Sequence, residues 1–132
     1  MRIINGFLKN KKISSKTRAR PTMSKVRESI FQILDCMEGK SILDLFAGTG
    51  MLSFEAISRG ASSALMVDID KRAVIDTINN AKRLGVEDRV MCYSNKAEIA
   101  IRILSKKGST FDFIFIDPPY FYKNYESLLK EI

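Results

Sequence analysis

The chain contains no histidine. That absence excludes the Ser-His-Asp and Cys-His nucleophilic arrangements, so any chemistry has to come from carboxylates, backbone groups or a cofactor. Cysteine is scarce: Cys36 and Cys92 are the only two, they stand in separate apolar patterns, and no C-x-x-C spacing occurs. Neither a disulfide framework nor a zinc site is expected, and no metal is assigned. There is no apolar signal core at the start and no run of membrane-spanning length, which points to a cytoplasmic protein without a membrane partner. Internal repeats, low-complexity tracts and long linkers are also missing. What remains, 132 residues of which 45% are apolar, gives room for one domain with a real core.

Acidic residues are absent from the first 27 positions. Nine of the 22 basic residues precede Glu28, so the rest of the chain holds 13 basic against 15 acidic side chains. The net charge of +7 therefore belongs to an arm, residues 1–22, rather than to the domain, residues 23–132. Lys9, Lys11, Lys12, Lys16, Arg18 and Arg20 are the candidate contacts of this arm to nucleic acid, because a polyanion is the natural partner of such a segment. A merely solubilising arm is the alternative.

Residues 1–22 alternate short apolar and basic stretches and read as a small hairpin or extended arm. From Ser24, a plausible N-cap, the positions Val26, Ile30, Ile33, Leu34 and Met37 predict a core-facing helix ended by Gly39. Strand and helix then alternate. Strands are predicted over Ile42 to Phe46, Ser63 to Asp68, Arg89 to Tyr93 and Phe113 to Asp117. Helices are predicted from about Met51 to Arg59, Lys71 to Leu84 and Ala97 to Leu104, with a last helical pattern at Tyr125, Leu128, Leu129 and Ile132. Repeated βα order predicts an α/β fold with a mainly parallel sheet and helices on both faces.

Three strand ends carry the chemistry. The first delivers Asp44-Leu45-Phe46-Ala47-Gly48-Thr49-Gly50, where glycine lets backbone approach a ligand and the N–H groups of a helix start can meet a carboxylate or phosphate. A dinucleotide fingerprint wants a third glycine where Ser53 stands, which argues against a nicotinamide or flavin enzyme. The second strand ends at Asp68, either an acceptor for ribose hydroxyls or a surface residue at a strand end, with Asp70 as a helix cap. The fourth ends in Asp117-Pro118-Pro119-Tyr120. In doubly wound order the first and fourth strands are neighbours, so the Gly48 and Asp117 loops flank one crevice. The exocyclic amine of a base is a poor nucleophile because its lone pair is delocalised. A carboxylate at Asp117 and the Pro118 carbonyl can accept its two hydrogens and aim the lone pair at a sulfonium methyl group. Two prolines stiffen the loop, and Tyr120 offers a ring for stacking an extruded base.

Taken together, Arg2-Ile3-Ile4-Asn5-Gly6, Arg20-Pro21-Thr22, Val26-Arg27-Glu28-Ser29-Ile30-Phe31, the Leu43 to Gly50 segment and Asp117-Pro118-Pro119-Tyr120 resemble the RsmD family of bacterial 16S rRNA guanine-N2 methyltransferases. The resemblance covers essentially the whole chain and implies a Rossmann-like class I fold dependent on S-adenosylmethionine. It implies a cofactor held by Asp44, Phe46, Ala47, Gly48, Thr49 and Gly50, with Asp68 on the ribose and Ile69 beside it, and the Asp117 loop at the target amine. Its implied partner is ribosomal RNA, within a small subunit or an assembly intermediate, and the implied full-length enzyme is a monomer. The Asp-Pro-Pro-Tyr element is shared with adenine-N6 enzymes, so adenine or DNA amino methylation stays open, as does a non-catalytic RNA-binding or assembly module. Where the family carries an acidic residue near the cofactor's adenine, this chain reads Ser94-Asn95-Lys96, and Asn95 can accept that bond through its amide oxygen. The family continues beyond the position of Ile132, so a C-terminally incomplete sheet, with the Phe113 strand at its edge, is expected.

Overall fold

The computed structural model describes residues 1–14, 24–119 and 121–132. In chain order the elements are α1 (Ser24–Leu34), β1 (Ser41–Asp44), α2 (Met51–Ser58), β2 (Ser63–Asp68), α3 (Lys71–Leu84), β3 (Val90–Ser94), α4 (Ala97–Lys106), β4 (Phe113–Phe115) and α5 (Tyr125–Glu131). The four strands form one parallel sheet in the order β3-β2-β1-β4. Ile42 stands between Ala64 and Phe113, Leu43 between Leu65 and Ile114, and Asp44 between Met66 and Phe115.

This register sorts the strand side chains into two layers, because successive residues point to opposite faces. Ile42, Ala64, Met66 and Phe115 join one core with Phe31 of α1, Phe54 and Ile57 of α2 and Ala81 of α3. Leu43, Leu45 and Val67 join the other with Ala97, Ala100 and Ile101 of α4 and Leu128 of α5. Leu128 is wholly buried, worth about 1.5–3 kcal/mol for a side chain of this kind. Strands covered on both faces need near-continuous apolar runs, which explains the lack of polar alternation in β1 and β4.

The first helix differs from expectation. Its buried stripe is Arg27 and Phe31, flanked by half-buried Ile30 and Leu34, while Val26 and Ile33 face outward. A buried arginine shifts the stripe: its Nη2 donates to the Arg2 carbonyl at 3.2 Å and to Ser24 Oγ at 3.1 Å. The helix stops at Leu34 because Asp35 takes a left-handed conformation (φ 61°), a region that aspartate tolerates better than most residues. Met37 is then buried from a loop rather than from a helix.

Residues 1–14 fold back on themselves through an antiparallel bridge between Arg2 and Lys12 and bury Ile3, Leu8 and Ile13 in the first core. Polar side chains of α2 hold this hairpin. Buried Glu55 accepts from the Ile4 and Asn5 amides at 2.8 and 3.1 Å and from Arg59 Nε at 3.0 Å. The Ser58 hydroxyl accepts from Leu8 N at 2.9 Å and donates to the Asn5 carbonyl at 2.5 Å. On α3, Asn80 bonds both backbone groups of Ser14.

Gly6 is where hairpin and helix meet most closely. Its φ is 85°, and a Cβ there would lie 1.9 Å from the Ser58 carbonyl oxygen. Gly6→Ala is expected to cost about 1–3 kcal/mol through strain and a lifted hairpin. Hydrogen exchange checks this: the Phe7 and Leu8 amides, which donate to Ser58, should lose protection while the β1 and β2 amides keep theirs. Unchanged protection at both positions would show that the hairpin is not held here.

Candidate functional site

The carboxyl ends of β1, β2 and β4 open into one cavity of about 730 Å³. Crevices of doubly wound sheets lie where neighbouring strands send their connections to opposite faces, and β1 here sits between β2 and β4. Of the residues singled out in the sequence, Asp44, Phe46, Ala47, Gly48, Thr49, Asp68, Ile69, Asp117, Pro118 and Pro119 line it. Tyr120, Lys16, Arg18 and Arg20 lie outside the described residues. Lys9, Lys11 and Lys12 are exposed on the hairpin.

The Asp44 to Gly50 loop is fixed from β2 and α3. Ala47 N donates to the Val67 carbonyl at 3.0 Å and Gly48 N to Asp68 Oδ2 at 2.8 Å. The Thr77 hydroxyl of α3, 2.8 Å from the Ala73 carbonyl, also lies within 3.3 Å of the Gly48 carbonyl. Asp68 Oδ1 accepts from Asp70 N at 2.8 Å, and the Asp70 side chain caps α3 through Arg72 N at 2.9 Å. Both Asp68 oxygens are thus oriented by backbone donors, each with lone-pair capacity remaining for another hydroxyl.

Gly50 and Asn95 do not line the cavity. A Cβ on Gly50 (φ 79°) would lie 2.8 Å from the Phe54 ring and 3.2 Å from Thr77 Cγ2, so this glycine serves the packing of α2 against α3. Asn95 bonds the end of β2 through its amide, 3.1 Å from the Asp68 carbonyl, and its side-chain oxygen accepts from Lys96 N at 2.9 Å. Its successors Lys96, Ala97 and Glu98 reach the cavity instead.

An aromatic wall that no short motif signals follows the proline pair. Tyr122 N donates to the Pro119 carbonyl at 2.9 Å, closing a turn. Its ring meets Phe46 edge-on at a centroid distance of 5.0 Å, and its hydroxyl donates to Glu98 of α4. Phe46, Tyr122, Pro118 and Leu52 give the cavity apolar surface, while Asp44, Asp68, Asp117, Asp70 and Glu98 give it carboxylates against Lys96, the one cation among the described residues that line it. That balance suits a cationic ligand with hydroxyls and an apolar ring system. It opposes a pyrophosphate, whose charges would meet like charges. Among the described residues no three acidic, cysteine or histidine side chains come together as a metal site.

Asp44 is 1% exposed. Burial pushes its carboxyl up to about 7, against the pull of the Ser53 hydroxyl and the Phe46 backbone, with Asp68 and Asp117 adding to the rise.

A parallel sheet in this order, helices on both faces and a cavity at the carboxyl ends of the strands define a Rossmann-like class I methyltransferase fold. All 132 residues match the family described as "Conserved hypothetical protein 95", and the chain belongs to that family, the RsmD family its motifs resemble. A Bacillus subtilis protein named "Putative rRNA methyltransferase YlbH" is 39% identical over 100% of this chain and 73% of its own length. The "Ribosomal RNA small subunit methyltransferase D" of Buchnera aphidicola is 37% identical over 89% of this chain and 62% of its own length. Among solved structures, the Thermus "hypothetical protein TTHA0928" superposes with a TM-score of 0.87 at 26% identity, over 99% of this chain and 78% of that one. SMU.776, "a putative methyltransferase complexed with SAH", gives 0.65 at 26% identity, over 77% of this chain and 27% of that one. Among the described residues, no helix is long and apolar enough to cross a membrane.

The raised Asp44 carboxyl has a consequence for stability. Between the unfolded value near 3.8 and the folded value near 7, the folded state holds a proton that the unfolded state releases. Its contribution is fully present below the lower value and is lost as pH rises through the higher one. Asp44→Asn removes this dependence, so the melting temperature of the variant relative to the wild type should climb from about pH 4 to about pH 7. A difference independent of pH would show that Asp44 is not buried as described.

Proposed function

We propose that this chain is the catalytic core of an S-adenosylmethionine-dependent rRNA methyltransferase, acting on the exocyclic N2 amine of a guanine in small-subunit rRNA. The observation that carries the reading is that the Gly48 loop, Asp68 and the Asp117-Pro118-Pro119 segment wall one cavity. The names of the rRNA methyltransferase relatives and the SAH in a neighbour of this fold support it. The guanine assignment rests on the N-terminal motifs quoted above.

The cofactor supplies an electrophilic methyl group on a sulfonium centre. Asp68 receives the ribose hydroxyls, Asp44 faces the ammonium end, and Phe46, Ile69 and Leu52 cover apolar surface and exclude water. Gly48 (φ 55°) lets the loop pass close to the ligand. Asp117 and the Pro118 carbonyl accept the two amine hydrogens and orient the nitrogen lone pair towards the methyl group. Orientation of a neutral amine, rather than its full deprotonation, does most of the work. The turn from Pro119 to Tyr122 holds this edge of the cavity against Phe46 and α4.

Methyl incorporation into assembled small subunits, naked rRNA and duplex DNA tests the reading. Incorporation at a guanine N2 of small-subunit rRNA is expected; incorporation at adenine or in DNA replaces the substrate assignment, and cofactor binding without turnover replaces the enzyme by a binding module. Asp117→Ala should lower turnover by at least about 10²- to 10⁴-fold, the range of a positioned catalytic group, with the fold intact. Near-normal turnover in that variant would sink the mechanism.

In the hairpin, Lys9, Lys11 and Lys12 meet phosphates and set affinity more than base choice. Lys11→Gln with Lys12→Gln should weaken RNA binding at low salt and flatten the plot of log affinity against log salt by about one unit per lost contact. An unchanged slope would make these lysines solubilising only.

A further inference from the structure

Position 53 is where a dinucleotide fingerprint would place its third glycine, and here it holds a hydroxyl. Ser53 has no exposed surface, so its Oγ must find a partner within the protein. The partner is Asp44: Oγ donates to Oδ2 at 2.8 Å, from the first turn of α2 to the last residue of β1. Asp44 is itself buried and forms part of the cavity wall. We propose that Ser53 is a positioning residue of the cofactor site, holding the Asp44 carboxylate in place to receive the ammonium group at the amino-acid end of the cofactor. The inference rests on the methyl-donor reading given above.

Geometry and charge point the same way. A buried carboxylate whose orientation is fixed by a neutral donor loses little freedom when a cation arrives, and the pairing gains strength from the low local dielectric. Burial works against this by favouring the protonated form, and the carboxylates of Asp68 at the end of β2 and Asp117 after β4 add to that pressure. Among the described residues, Asp70, Lys96 and Glu98 are the other charged groups of the same wall. The Ser53 hydroxyl opposes it, and the Asp44 carboxyl sits at about 7 as a result. Without that hydroxyl the carboxyl keeps its proton to higher pH, and a neutral carboxyl offers no charge to an ammonium group.

The test is calorimetry of S-adenosylhomocysteine and of 5′-methylthioadenosine, which keeps the nucleoside but lacks the amino-acid end, from about pH 6 to about pH 8.5. Ser53→Ala should weaken S-adenosylhomocysteine binding about tenfold near pH 6, the equivalent of one pH unit, and about fivefold near pH 7. The deficit should narrow as pH rises, Ser53→Thr should restore affinity, and methylthioadenosine should bind as in the wild type. Equal loss of both ligands, a deficit that persists at alkaline pH, or wild-type affinity in Ser53→Ala would each overturn the proposal. If Ser53→Ala does not fold, Asp44→Asn replaces it, with loss of S-adenosylhomocysteine affinity alone as the supporting result and an undiminished affinity as the opposing one. Failure of the wild-type protein to bind S-adenosylhomocysteine at any pH would instead remove the methyl-donor reading itself.

Discussion

The hydrogen bond from Gly48 N to Asp68 Oδ2 at 2.8 Å joins the loop after β1 to the end of β2, and the shape of the cavity follows from it. Because β1 lies in the sheet between β2 and β4, anything that fixes the β1 loop against one neighbour also fixes its distance from the loop of the other. The same carboxylate holds Asp70 N, and Asp70 caps α3. One side chain therefore sets the lip of the cavity and the start of the helix that supports it, with both of its oxygens oriented by the backbone.

Charge completes what topology begins. Folds of this outline also serve nucleotides with pyrophosphates, which rest on glycine-rich turns and helix starts. Here Asp44, Asp68 and Asp117 line the cavity, with Lys96 as its one cation among the described residues, and the third glycine of that fingerprint is replaced by Ser53, whose hydroxyl faces Asp44.

Much of the fold and of the cavity lining was legible in the sequence because the lining comes largely from short contiguous segments at strand ends. Asp44 to Gly50, Asp68 and Asp117 to Pro119 are readable without knowing what packs behind them, and alternation of strand and helix gives the sheet. What was not legible depends on contacts distant in the chain. Tyr122 belongs to the cavity only because Phe46 and Glu98 come to meet it. Arg27 disguises the buried stripe of α1, since a buried arginine scores as surface. Glu55 misleads in the same way: its carboxylate is wholly buried, engaged by two hairpin amides and an arginine. At Gly50 the missing Cβ makes room for Phe54 and Thr77, a packing contact that no local pattern signals.

Every residue of α2 is buried, and its two ends face different tasks. Met51 and Leu52 border the cavity, while Glu55 and Ser58 grip the hairpin. Eight residues at 1.5 Å per residue make a rod of about 12 Å, jacketed on all sides and without slack. That rod ties the two together: a shift of α2 along its axis moves the lip of the cavity and the seat of the hairpin at once.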